Sequence, residues 1–219
     1  VIDCGGGYGW RRGEVVEALL AAHPGWLRAR GAVGQSNQAM VDRAFEQQGT
    51  VIRVPTMTLD GLAVQDVGLL GSGPPGGGMV GRLFWNAWEK GAAGPVVGWL
   101  GGNVLSRYRL TIDYRNHVSY WRQTAPARTD ELDAVGISLI HTATEYRVGG
   151  LVQRDGVAPV TGVEIGDRLV AIDGQDAASM SRGALLAALH GRPGEPRRLT
   201  LDRGGQRMEA DAAVGAFGP

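Results

Sequence analysis

Trp99-Leu100-Gly101-Gly102-Asn103-Val104-Leu105, running into the alternating stretch Leu110-Thr111-Ile112-Asp113-Tyr114, gives meaning to Asp3-Cys4-Gly5 at the far end of the same domain. Val1-Ile2 reads as the end of a buried strand. Gly5, Gly6 and Gly7 let the backbone turn sharply and pack closely beneath the Asp3 carboxylate. The sequence therefore predicts an aspartate on a tight loop at a strand end, facing a cleft. Two such carboxylates held close together cannot both ionise, so they share one proton. The pair can then activate water and protonate a carbonyl oxygen.

On these residues the chain resembles the retropepsin-like aspartic peptidases. Val1-Ile2-Asp3-Cys4-Gly5-Gly6 resembles their Asp-Thr/Ser-Gly-Ala/Gly loop, and Trp99 to Leu105 resembles their apolar-apolar-Gly-x-Asn/Asp-x-Leu element. The resemblance covers about residues 1 to 122 and implies a catalytic role for Asp3, with Cys4, Gly5 and Gly101 supporting its loop. It also implies a short helix opening behind the loop, and a closing strand pair from Leu110–Tyr114 and Val118–Tyr120, turned at Arg115-Asn116-His117. Further strands are expected to precede the loop in such a fold. The chain departs from the family at Cys4, where a hydroxyl residue normally hydrogen-bonds across the subunit interface; a thiol is only a weak donor.

Other acids compete less well. Asp113 sits in an alternating strand in which Ile112 is expected to face the core, so it reads as a solvated strand residue. Asp60 and Asp66 read as turn or edge positions of a hairpin built from Val51–Val54 and Leu59–Leu70. Glu14–His23 has the spacing of one short amphipathic helix ended by Pro24. Gly31–Gly34 reads either as the tip of a flap or as a surface turn, and Gly71–Gly78 as a loop. Phe84, Trp85 and Trp88 follow at near-helical spacing, as core or as the lining of a substrate cleft.

The remaining composition narrows the function classes. Apolar residues make up 43% of the 219, charge is balanced, and 36 glycines favour short strands joined by turns. Near-neutral charge without a Lys/Arg cluster argues against an electrostatic nucleic-acid binder. A single cysteine excludes an internal disulfide, and His23, His117, His141 and His190 lack metal-ligand spacing. A Cys4 nucleophile paired with a distant histidine is a third-rank reading, because no orienting partner can be read.

Thr124 to Leu132 is polar, contains Pro126 and separates two apolar regions, so it reads as a linker. Beyond it, Ala134-Val135-Gly136-Ile137-Ser138-Leu139 resembles the carboxylate-binding loop and first groove strand of PDZ domains. There, backbone N–H groups receive a peptide terminus. Val157 to Gly174 resembles the short helix, Gly-Asp turn and apolar strand of bacterial PDZ domains, with Asp167 stabilising the turn. Met180–His190 reads as the groove helix, on which Ser181, Arg182 and Leu185 are candidates for ligand selection. Leu199–Gly205 reads as part of a closing hairpin.

The fold expected is mainly β with short helices: a retropepsin-like acid-protease β-barrel over 1–123, a linker over 124–131, and a PDZ β-sandwich with two helices over 132–214. The expected function is an aspartic endopeptidase whose PDZ module binds peptide or protein termini through Ala134, Val135, Gly136 and Ile137. The alternative is an inactive peptide-binding scaffold. One convincing catalytic aspartate per chain implies a homodimer if the protein is active. No metal, cofactor or nucleic acid is called for. Location is left open by the residues themselves; the resemblance points to an extracytoplasmic protein.

Overall fold

The computed structural model describes residues 1–2, 8–26, 28–31, 49–72, 78–128, 130–154 and 160–216. Asp3, Cys4 and Gly5, the expected flap tip at 32–34 and the start of the second motif at 157–159 lie outside them. The described chain is mainly β, 47% strand and 18% helix, and none of its sheets closes into a barrel.

In the first region β1 (Gly9–Arg12) runs into α1 (Gly13–Ala22). Val16 and Leu20, four residues apart, are the buried face of that helix. After β2 (Arg28–Arg30), β3 (Thr50–Leu59) and β4 (Leu62–Ser72) form a long hairpin. It turns at Asp60 and Gly61, whose φ values of 44° and 86° supply the left-handed pair that a two-residue hairpin requires. Asp66, expected at a turn or edge, instead lies inside β4 with φ 48°. Pro55 faces this stretch, and its missing N–H leaves the ladder open between the Val54–Val67 and Thr56–Gln65 pairs.

The aromatic stretch forms α2 (Gly78–Glu89). Trp85 is buried against Trp99, with ring centroids 5.1 Å apart, and Trp88 meets Trp99 edge-on at 5.5 Å while remaining partly exposed. There follow β5 (Gly98–Trp99), the short α3 (Gly102–Leu105), and the β6 (Tyr108–Asp113) and β7 (Val118–Gln123) hairpin. The hairpin turns where the sequence places it, with His117 at φ 56° and the Asp113 carboxylate accepting from Asn116 N–H and Nδ2. Ile112 corrects the expectation, because it is 42% exposed rather than in the core. Among the described residues the hairpin is a two-stranded sheet by itself, and its Tyr108–Trp121 end packs against the β3–β4 core.

The second region comprises β8 (Asp133–Ala134), β9 (Ile137–His141), β10 (Tyr146–Leu151), β11 (Gln153–Arg154), β12 (Arg168–Ile172) and β13 (Gln175–Asp176). It continues through a 3-10 turn at Ala177–Ser179, α4 (Arg182–Leu189), β14 (Pro196–Arg203), β15 (Gln206–Ala213) and β16 (Gly215–Ala216). Ser181 caps α4, its Oγ accepting from Ala184 N–H at 3.2 Å. Leu185 and Leu189 enter a core shared with Ile137, Leu139 and Leu199. The segment 160–166 is turn rather than helix. Its end is held by Asp167, which accepts from Glu164 N–H and from two guanidinium nitrogens of Arg203 at 2.7 and 2.8 Å.

The two regions share structure. One six-stranded sheet has the order β11-β2-β3-β4-β1-β5, so a strand of the second region completes the first region's sheet. Leu132, Ala134 and Val152 lie in one buried cluster with Tyr8, Val51, Trp85 and Trp99.

Candidate active site and peptide-binding edge

Residues 3–7 lie outside the described residues, but the segments on either side of them are paired. Ile2 bridges Leu100 in parallel, and Leu100 N–H donates to the Val1 carbonyl at 2.8 Å. On the other side β1 pairs antiparallel with β5, Trp10 opposite Trp99 and Arg11 opposite Gly98. Residues 98–100 thus form a middle strand hydrogen-bonded to both segments that flank residues 3–7.

The next residue locks this arrangement. Gly101 has extended backbone, φ −97° and ψ −177°, a conformation open to any residue. Space, not torsion, demands glycine there: a Cβ would overlap the Tyr8 carbonyl group and stand 2.9 Å from Gly9 N. The Gly-x-Asn element is therefore a close backbone crossing beneath the Tyr8–Gly9 backbone. Arg11 NH1 donates to the Trp99 carbonyl at 3.1 Å, and Arg12 Nε donates to the Val96 carbonyl at 2.8 Å while its NH2 pairs with Glu89.

Beneath the crossing lies a buried polar cluster that sequence reasoning missed. Glu131, Arg53 and Arg107 are at most 7% exposed. The Glu131 carboxylate accepts from Gly68 N–H at 2.7 Å and from Arg107 NH2 and Asn103 Nδ2 at 3.5 Å, with Arg53 NH1 at 4.0 Å. Tyr8 OH donates to the Glu131 carbonyl at 3.0 Å, and Asn103 Nδ2 donates to the Gly68 carbonyl at 2.9 Å. Burial holds the Glu131 carboxyl above the usual carboxylate range, only partly offset by the Gly68 amide, Arg107 and Arg53. Burial likewise pushes the Tyr8 phenol upward, and the nearby Glu131 charge adds to it. Arg53, between Ile52 and Val54, was the available signal, since a charge inside an apolar strand must find a partner.

In the second region, Ala134, Val135, Gly136 and Ile137 are all buried. Two of the amides expected to receive a peptide terminus are engaged internally: Val135 N–H donates to the Leu189 carbonyl at 2.8 Å and Ile137 N–H to the Val135 carbonyl at 2.7 Å. Gly136 offers its carbonyl to Val152 N–H at 2.9 Å. Next to this loop, β9 is an edge strand among the described residues, paired only with β10. Of the residues considered for selectivity, Ser181 caps the helix and Leu185 is buried in the core.

A cleft of about 600 Å³ separates the outer face of α4, at Gly183, Leu186, Ala187 and His190, from Tyr8, Asn103, Ser106, Arg128 and Glu131. Burial lowers the affinity of His190 for a proton, and Arg128 adds to the effect. Among the described residues, no group of three or more His, Cys, Asp or Glu side chains is placed to hold a metal ion. No described helix is long and apolar enough to cross a membrane.

No protein-family model matches the sequence, and no curated protein matches it. Among solved structures it is similar to an HtrA-type protease, AlgW in a serine-to-alanine form with a decapeptide, at 17% identity and a TM-score of 0.31. That match covers 75% of this chain and 40% of the other, so the chain spans well under half of that protein's length.

Proposed function

We propose that the chain is an aspartic endopeptidase that hydrolyses peptide bonds through water activated by Asp3, and that its C-terminal region is a PDZ-type module binding extended peptide. The observation that carries the first half is the pairing of the segments on either side of residues 3–7. Both flanking segments are hydrogen-bonded to strand 98–100, and Gly101 crosses directly under Tyr8. A catalytic carboxylate needs such a rigid base, because precise placement of the reacting groups removes much of the barrier.

One Asp3 per chain makes the working unit a symmetric homodimer, in which two Asp3 carboxylates share a proton across the twofold axis. One carboxylate takes a proton from water while its partner gives one to the scissile carbonyl oxygen. The coupled pair titrates as a unit, so activity is expected on the mildly acidic side. In the second region β9, the last strand of its sheet among the described residues, is the edge to which a peptide is proposed to add by main-chain hydrogen bonds.

A second reading, a peptide-binding scaffold on an inactive peptidase fold, is favoured by Cys4, whose thiol is a poor substitute for a loop-stiffening hydroxyl. Cleavage of a diverse peptide library between about pH 4 and 7 separates the two. Cleavage that is abolished in Asp3→Asn and retained in Cys4→Ala supports the peptidase. Retention of peptides with no cleavage at any pH supports the scaffold.

A further inference from the structure

Glu131 is the unusual residue of this molecule. It lies in the polar stretch between the two regions, yet it is buried, and it contacts the candidate peptidase region through both its backbone and its side chain. Gly68 lacks a Cβ at the point where one would stand 2.6 Å from Glu131 Oε1, so the β4 backbone is shaped to admit this carboxylate. On one side, Glu131 touches Tyr8, the residue that follows 3–7 in the chain, and Asn103, two residues beyond the Gly101 crossing. On the other, Leu132 is fully buried and Ala134 and Val135 are tied to the end of α4 through His190 and Leu189.

We propose that Glu131 is a positioning residue for the candidate peptidase site, a strut supplied by the segment leading into the C-terminal module that holds Tyr8, Gly68 and Asn103 in place around the Gly101 crossing. The proposal rests on the peptidase reading for its functional consequence. Its physical content is independent: residues 8–12 and 98–105 keep their arrangement only while residue 131 is in place. A site built this way is complete only when the C-terminal module is docked, which couples the two regions.

The test uses the full chain in four forms: wild type, Glu131→Gln, Glu131→Ala, and Asp167→Asn as a destabilised control in the distant turn of the second region. Amide hydrogen exchange is followed in 8–12 and 98–105, with 196–213 as internal reference. Kinetics of any peptide that the wild type cleaves are measured beside it. Glu131→Ala is expected to speed exchange in 8–12 and 98–105 by about tenfold or more, leaving 196–213 unchanged. Glu131→Gln keeps an acceptor for the Gly68 amide but removes the charge that faces Arg53 and Arg107, so it is expected to speed exchange in the same two segments by a smaller factor, and it serves if the alanine variant does not fold. kcat falls about tenfold or more in Glu131→Ala with KM little changed, whereas Asp167→Asn leaves both exchange in 8–12 and kcat at wild-type values. Uniformly faster exchange, or unchanged exchange in 8–12 and 98–105, overturns the proposal. A wild type that cleaves nothing but shows the expected exchange pattern overturns the peptidase reading and still supports the strut.

Discussion

Gly101→Ala tests the mounting of the candidate active site at its tightest point. The backbone of Gly101 already has torsions that alanine adopts freely, so the substitution adds no torsional strain and only one methyl group. That methyl would overlap the Tyr8 carbonyl, which lies in main chain and cannot rotate away as a side chain would. Either the 98–101 strand or the 8–9 segment must move by about an ångström. Overpacking of this kind costs about 1–3 kcal/mol, and disturbing the Tyr8–Glu131 hydrogen bond adds about 1 kcal/mol. A total of about 3 kcal/mol, divided by a urea slope of about 2 kcal/mol/M, lowers the unfolding midpoint by about 1.5 M. Gly94→Ala is the control, since a Cβ there meets nothing within 4 Å and its midpoint should be unchanged. In the peptide-cleavage assay Gly101→Ala is expected to be inactive and Gly94→Ala unaffected. If the two variants unfold at the same urea concentration, the close crossing does not exist in solution and the mounting argued from it fails.

Three further outcomes are expected. Tyr8→Phe removes the hydroxyl that donates to the Glu131 carbonyl and should cost about 1 kcal/mol, read as a lower urea midpoint with an unchanged slope. Gly183→Ala, in the first turn of α4 with open space around its Cβ, should stabilise by up to about 1 kcal/mol in the same assay; a loss would show that the cleft beside α4 is tighter than described. The hydrogen bonds from Arg203 hold the Asp167 carboxyl below the usual carboxylate range, so its folded pKa lies below its unfolded one. Its stabilisation is therefore present above the unfolded pKa and is lost as pH falls through the folded value. Asp167→Asn should accordingly lower thermal stability at pH 7, and the gap to wild type should close as the pH is taken below the ordinary carboxylate range. A gap of constant size across that range would show that the Arg203 contacts do not depend on the charge.

Much of the local structure was legible in the chain. The Asp60-Gly61 turn, the α1 face of Val16 and Leu20, the β6–β7 hairpin and the helix α4 each follow from a pattern within a dozen residues, whereas Ser181, a candidate for ligand selection in the sequence, turns out to cap α4. The requirement for glycine at 101 was visible as a motif, although its cause, the crossing under Tyr8, was not.

What the sequence by itself determined is the kind of element each segment forms and the order in which the motifs follow one another, because torsional preference and hydrophobic period act between near neighbours. Only the tertiary structure decided that Ile112 is exposed, since alternation does not say whether a third layer covers the hairpin. Only the tertiary structure joined β11 to β2 and buried Glu131 between Arg53 and Arg107. Those partners lie 78 and 24 residues away along the chain. A polar stretch that reads as a linker can be a structural strut, because the partners that justify burying its charge meet it only after the sheet has formed.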